Sequence, residues 1–165
     1  MTDYRVRPAT AADADAICRI YNQGIEDRVA TLETELRTPE ERRQWLLSRS
    51  PRHRVIVADD HGGQVAAWGS LNVFNPRDAY RFVVDFSVYV ERDWRGQGAG
   101  SAVLARLVEL AREQGFHKMV LSAFPTNKGG VALYEKFGFR TVGIYREQGL
   151  LDGRWVDTIV MEKLL

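Results

Sequence analysis

The stretch Val88-Tyr89-Val90-Glu91-Arg92-Asp93-Trp94-Arg95-Gly96-Gln97-Gly98-Ala99-Gly100-Ser101 constrains this chain most. An apolar, strand-forming run enters a turn with three alternate glycines. An amphipathic segment follows at once, with Val103, Leu104, Leu107, Val108 and Ala111 at helical spacing and Gly115 as its stop. Glycines let backbone N–H groups turn toward a ligand with no Cβ in the way. A helix start adds unpaired N–H groups and a partial positive charge. Strand, glycine turn and helix start together predict a pyrophosphate cradle.

Other phosphate motifs do not fit. A P-loop needs Gly-Lys-Ser/Thr after its second glycine, and this stretch has no lysine. A dinucleotide fingerprint needs glycine where Ser101 stands and an acidic residue roughly 20 positions on, where the chain has an apolar strand. A glycine-rich connection without a ligand is the remaining alternative. Three glycines in five residues cost backbone entropy, which weighs against it.

The rest of the chain alternates strands and helices, which predicts one α/β (or α+β) domain over residues 1–165. Tyr4 to Arg7 reads as a first strand. A helix begins at Thr10 to Asp13, carries Ile17, Ile20 and Tyr21 on one face, and is expected to stop near Gly24. Thr38-Pro39-Glu40-Glu41 is a capping box with proline at the first helical position. Trp45 and Leu46 face inward from that helix. Val55 to Ala58 and Val65 to Asn72 form a hairpin around Asp59 to Gly63. Phe74 to Asp78 is a loop, and Tyr80 to Val90 a long strand. After the glycine turn come a helix over Ser101 to Gln114, a strand over Lys118 to Phe124 and a short helix over Gly130 to Phe137. Two closing strands, Thr141 to Arg146 and Trp155 to Glu162, are joined through Gln148 to Gly153.

Composition excludes several function classes. The net charge of +1 lacks the basic surplus that nucleic-acid binding draws on. No apolar run approaches the roughly 20 residues that span a bilayer, and the start Met1-Thr2-Asp3-Tyr4-Arg5 does not read as a leader. A cytoplasmic protein with no membrane or nucleic-acid partner is expected. The one cysteine, Cys18, sits among Ala16, Ile17 and Ile20 and reads as a buried small hydrophobe. His53, His61 and His117 lack ligand spacing, so no metal is expected.

Arg95-Gly96-Gln97-Gly98-Ala99-Gly100 resembles the Arg/Gln-x-x-Gly-x-Gly/Ala signature of the GNAT-type N-acetyltransferases. Asn127, followed by Leu133-Tyr134-Glu135-Lys136-Phe137-Gly138-Phe139, resembles a second signature of that family. Asn75-Pro76-Arg77-Asp78-Ala79-Tyr80, Tyr145-Arg146-Glu147-Gln148-Gly149 and Gly153-Arg154-Trp155-Val156-Asp157 are similar to the phosphinothricin N-acetyltransferase subfamily, and within it to enzymes of arsinothricin resistance. The resemblance implies a mixed, mostly antiparallel twisted sheet flanked by helices, acetyl-CoA as cosubstrate, a small amino-acid-like acceptor and a homodimer. The hairpin around Leu150-Leu151 is a candidate for the dimer contact.

It also implies roles. Val88, Tyr89 and Val90 run beside the pantetheine arm. Arg95 to Ser101 hold the pyrophosphate, with Gly96, Gln97, Gly98, Ala99 and Gly100 between them. Asn127 and Lys136 meet the coenzyme, although an N-cap role fits Asn127 and a surface role fits Lys136. Asp85 stands at the position of the subfamily's general-base glutamate. Its shorter side chain leaves open whether it takes the amine's proton itself, acts through water or anchors the ammonium. Its apolar neighbours in Val83-Val84-Asp85-Phe86 argue against a solvated face, and a buried acid asks for a reason. Tyr134 is the candidate donor to the leaving thiolate, with a packing tyrosine as the alternative. Asn75, Pro76, Arg77, Tyr80, Phe86 and Ser87 are expected around the acceptor, with Arg77 on its anion and Arg81 a further candidate. Residues 28–36 are expected to form a mobile wall of that pocket. The main expectation is acetylation of a toxic glutamate analogue, giving resistance. A peptide or protein N-acetyltransferase, and an acetyl-CoA-binding sensor without turnover, are the alternatives.

Overall fold

The computed structural model describes residues 3–165. Met1 and Thr2, which opened the segment read against a leader, lie outside them. Strand β1 (Arg5–Pro8) leads through a 3-10 turn into helix α1 (Ala14–Glu26). The helix does not stop at Gly24 but runs two residues past it. Gly24 is there for space: a Cβ would come within 3.1 Å of the Tyr89 ring. Helix α2 (Pro39–Leu47) starts at the predicted capping box, with Glu41 N–H on the Thr38 hydroxyl at 3.2 Å and Thr38 N–H on the Glu41 carboxylate at 3.1 Å.

Strands β2 (Val55–Asp59) and β3 (Val65–Val73) form the expected hairpin. Strand β4 (Val83–Val90) begins three residues later than the sequence suggested, because Asp78–Tyr80 winds into a 3-10 turn and Arg81 keeps helical angles. Helix α3 (Ala99–Glu113) starts two residues earlier than expected. Its N-cap, Gly98, holds φ at 91°, which turns the chain into the helix at once. Strand β5 (Lys118–Ala123), helix α4 (Lys128–Lys136), β6 (Arg140–Leu151) and β7 (Arg154–Leu164) complete the chain.

The long link expected between the last two strands shrinks to Asp152-Gly153, both at positive φ, as a two-residue hairpin requires. Gly149 and Leu150 remain paired with Val156 and Trp155. The irregularity lies earlier, at Glu147, whose φ of 51° accompanies a register shift between Tyr145 and Gly149. Leu151 is buried and Leu150 exposed, so only one of the two leucines is free for a surface contact.

The seven strands lie in the order β1-β2-β3-β4-β5-β7-β6. All neighbours are antiparallel except β4 and β5. Alternation along β2 sends Ile56 and Ala58 to the face of α3, and Val55 and Val57 to the face of α1 and α2. Val103, Leu104 and Leu107 of α3 have no exposed surface, and each contributes roughly 1.5–3 kcal/mol through burial. Gly69 lets α3 lie this close: a Cβ there would come within 2.5 Å of Val103. Cys18 is buried, with its thiol on the Arg37 carbonyl at 3.2 Å. Among the described residues no helix is long and apolar enough to cross a membrane.

Candidate active site

The parallel pairing of β4 with β5 is short. Val83 opposes Lys118, Val84 opposes Met119 and Asp85 opposes Val120. Beyond Asp85 both strands continue without register, β4 to Val90 and β5 to Ala123. The sheet therefore opens at Asp85. Side chains along β4 alternate between its two faces. Val88 and Val90 line one cavity, while Asp85, Ser87 and Tyr89 line another, which Phe86 also borders. The gap between the strands lies between two compartments on opposite faces of one sheet.

The first compartment, about 430 Å³, is bounded by Val88, Val90, Arg95, Gly96, Gly98, Gly100, Ser101, Asn127, Leu133 and Tyr134 among others. Gly96 and Gly98 hold φ at 77° and 91°, a region costly for any residue with a Cβ. The N-terminus of α3 opens at the same loop, and its first N–H groups have no partner within the helix. Arg95 borders the cavity while its guanidinium bonds Asp27 at 2.8 Å. The far end is apolar. Backbone donors at one end and an apolar trough at the other fit a pyrophosphate with a pantetheine arm.

Four sequence candidates fall outside this compartment. Gln97 turns away, its amide donating to the Asp93 carbonyl at 3.0 Å. Ala99 is buried in the core. Tyr89 faces the opposite side, stacked on Trp68 with centroids 4.9 Å apart. Lys136 is exposed and lines neither compartment. Asn127 lines the compartment and also caps α4, accepting from Gly130 N–H at 3.1 Å. A Cβ on Gly130 would come within 2.7 Å of that amide, so the small residue goes with the cap.

In the second compartment, about 240 Å³, Asp85 meets Ser87, Ala30, Thr31, Leu32 and Phe124 among others. Asp85 is half-buried on a polar row of the strand, and burial pushes its carboxyl up to about 6. A bond from the Asn72 amide, at 3.5 Å, and one from backbone pull the other way. Asn72 is oriented from behind. Its carbonyl oxygen accepts from Arg49 at 2.8 Å and from Ser70 at 2.9 Å, which leaves the NH₂ for Asp85 and Ser87. Arg49 has no carboxylate partner among the described residues, and burial lowers its pKa to about 10.

Tyr134 borders the first compartment. Its ring packs edge-on against Phe86 and Phe139, at 5.8 and 6.1 Å between centroids. Its hydroxyl makes no hydrogen bond to another described residue. Burial first, and the charge of Asp85 second, push the phenol up to about 12.

The acceptor candidates divide. Phe86 and Ser87 border the Asp85 compartment. Arg77 and Tyr80 stand exposed on the loop before β4, with Asn75 closing its turn on Arg77 N–H at 3.0 Å; none of them lines a cavity described here, nor does Pro76. Arg81 pairs locally with Asp78 at 3.0 Å. The segment 28–32 does stand at the site: Val29 borders the first compartment, and Ala30, Thr31 and Leu32 border the second. Sequence reasoning missed Asn72 and Arg49. The even spacing of Ser70 and Asn72 along β3 was a weak signal for a polar row, but Arg49 gave none.

Residues 16–139 match the Acetyltransferase (GNAT) family. A methionine sulfoximine/methionine sulfone acetyltransferase of Pseudomonas aeruginosa is 32% identical, over 95% of this chain and 92% of its own. A phosphinothricin acetyltransferase of Sinorhizobium meliloti, solved in complex with acetyl-CoA, superposes with a TM-score of 0.93 at 31% identity, over 98% of this chain and 88% of its own. A ribosomal-protein-alanine N-acetyltransferase structure from Brucella melitensis superposes with a TM-score of 0.93 at 36% identity, over 98% and 99%.

Proposed function

This chain belongs to the GNAT acetyltransferase family, and from that premise we propose that it works as one catalytic domain, moving the acetyl group of acetyl-CoA to the α-amino group of a small glutamate-like analogue whose tail carries a tetrahedral, oxygen-bearing centre. The observation that carries the reading is the sheet opening at Asp85, with a phosphate-type cradle on one face and a carboxylate poised near neutrality on the other. The relatives that act on methionine sulfoximine and phosphinothricin support the acceptor class, and detoxification of such an analogue is the proposed role.

The chemistry balances on two side chains. The acceptor nitrogen attacks the thioester carbonyl carbon, a C–N bond forms and the C–S bond breaks. The amine's proton passes to the Asp85 carboxylate, which is ionised above about pH 6. Tyr134 stays protonated at any working pH, its phenol held at about 12. Full transfer from such a phenol to a thiolate near pKa 9 is uphill by roughly 3 units, or about 4 kcal/mol. Tyr134 therefore acts first as a hydrogen-bond donor to the developing thiolate charge. The sulfur completes its protonation as water resupplies the phenol. Val88 to Val90 offer backbone groups along the pantetheine arm, Arg95 to Ser101 and Asn127 the cradle.

Peptide acetylation is the second reading, favoured by the Brucella structure. The Asp85 compartment, about 240 Å³, has the size of an amino-acid head, and the relatives that act on free amino-acid analogues favour the first reading. Two copies are proposed to pair through edge strand β6, whose Val142, Ile144 and Tyr145 are exposed. A thiol-release assay with acetyl-CoA tests the acceptor. Its panel holds phosphinothricin, arsinothricin, methionine sulfoximine, glutamate and an alanine-starting peptide. Turnover on phosphinothricin, arsinothricin or methionine sulfoximine supports the proposal; turnover on the peptide alone transfers the chain to the second reading.

A further inference from the structure

Among the described residues, three that are not glycine hold positive φ: Arg28, Glu147 and Asp152. Such backbone is costly and persists where surrounding contacts enforce it. Two of the three meet. Arg28 Nε donates to Asp152 Oδ2 at 2.9 Å, and Nη2 donates to Oδ1 at 3.1 Å, so the whole fork of the guanidinium is engaged. A third donor, Nη1, holds the Ile25 carbonyl at 2.7 Å and aims the side chain. The pair ties the segment that walls the Asp85 compartment to the β6–β7 turn. It is solvent-exposed, with side-chain exposures of 34% and 66%, and exposed pairs are easily exchanged.

Arg28 and Asp152 also line a third cavity, of about 650 Å³, with Arg154, Trp155 and Phe124. Phe124 borders the Asp85 compartment as well, so the two spaces adjoin. Arg154 has no ion-pair partner among the described residues. Two guanidiniums, one uncommitted and one held by an exchangeable carboxylate, thus face the space next to the proposed base. An amino acid whose amine reaches Asp85 in the small compartment needs room for its tail, and this cavity supplies it.

We propose that Arg28 recognises the oxyanion on the acceptor's tail, which takes the place of Asp152 on the guanidinium fork. The inference rests on the acetyl-transfer reading above and names the residue that confers its acceptor class. Planar, bidentate recognition of an oxyacid suits arginine.

The test compares phosphinothricin, whose tail is anionic, with methionine sulfoximine, whose tail is uncharged. Arg28→Met raises KM for phosphinothricin by about 10-fold or more, the scale of a lost charge-assisted pair. It leaves KM for methionine sulfoximine and for acetyl-CoA within about 2-fold. Arg28→Lys keeps part of the preference. Asp152→Asn, a change at an exposed turn, frees the guanidinium and lowers KM for phosphinothricin. The inference is overturned if Arg28→Met weakens both acceptors equally or neither. It is also overturned if the swapped pair Arg28→Asp with Asp152→Arg restores wild-type KM, since that assigns the pair to structure alone. Wild-type silence on both acceptors sinks the small-acceptor reading and this inference with it. Wild-type turnover with unchanged discrimination in Arg28→Met sinks this inference alone.

Discussion

The ring of Tyr134 stands edge-on to that of Phe86, with centroids 5.8 Å apart and planes at 76°. Phe86 is the next residue to Asp85 on β4, so the tyrosine of α4 is held against the point where the sheet opens. The buried Phe86 ring and the half-buried Asp85 carboxyl leave the strand on opposite faces. A donor on one face and a base on the other is the arrangement that the proposed chemistry uses.

Tyr134→Phe separates chemistry from packing. The substitution keeps the ring contacts with Phe86 and Phe139 and deletes a hydroxyl that has no hydrogen-bond partner among the described residues. Thermal stability is expected to stay within about 1 kcal/mol. If the hydroxyl supports the departing thiolate, kcat falls by roughly 10- to 100-fold. Unchanged kcat in a steady-state thiol-release assay reduces Tyr134 to a packing residue.

Asn72→Leu removes the side-chain donor that pulls the Asp85 carboxyl down. The acid limb of the kcat/KM profile is expected to move upward from about 6 by up to about one unit. It also takes an acceptor from Arg49, at a cost of about 1–3 kcal/mol in denaturant unfolding. A limb that stays in place shows that the Asn72 bond does not reach the carboxylate in solution.

Asp85→Asn is expected to stabilise the fold while impairing it as a catalyst. The folded-state value of about 6 lies above the unfolded value of 3.8. Between those values the native state binds the extra proton, so stability declines as pH rises through the window and is lowest above it. The amide carries no such penalty. Allowing for partial exposure, the gain is about 2 kcal/mol at pH 8, or roughly 4–8 °C in Tm, and it vanishes as pH falls toward 4. An Asp85→Asn melting curve that matches the wild type at pH 8 contradicts the raised value.

Much of this was legible in the sequence, for local reasons. The Thr38 capping box and the Gly96–Gly98–Gly100 turn are set by neighbouring residues, and both appear where the pattern puts them. Boundaries failed where tertiary packing decides. Gly24 read as a helix stop, yet it serves the approach of Tyr89 from a distant strand. Asp152-Gly153 tightened a link that looked six residues long. The acceptor side was least legible. Arg77, the expected anion contact, stands exposed on the loop before β4, and the cavities are walled by residues 28–32 and the β6–β7 hairpin, which meet only in the fold. Arg49, just past the end of α2, reaches Asn72 of β3, and no spacing rule in one sequence exposes such a pair.

The pH dependence of kcat/KM in the wild type and in Asp85→Asn, with the acceptor the wild type uses best, tests the central claim most directly. Two deprotonations are required if Asp85 is the base: its own near 6, and that of the acceptor amine at about 9, above the peptide α-amino value because the free carboxylate beside it favours the ammonium. The wild-type log profile should then climb with slope two below about 6 and slope one up to about 9. In Asp85→Asn the slope should be one throughout, with rates lower by about 100-fold or more. Wild-type rates in the variant, or an unchanged slope below pH 6, would contradict the account.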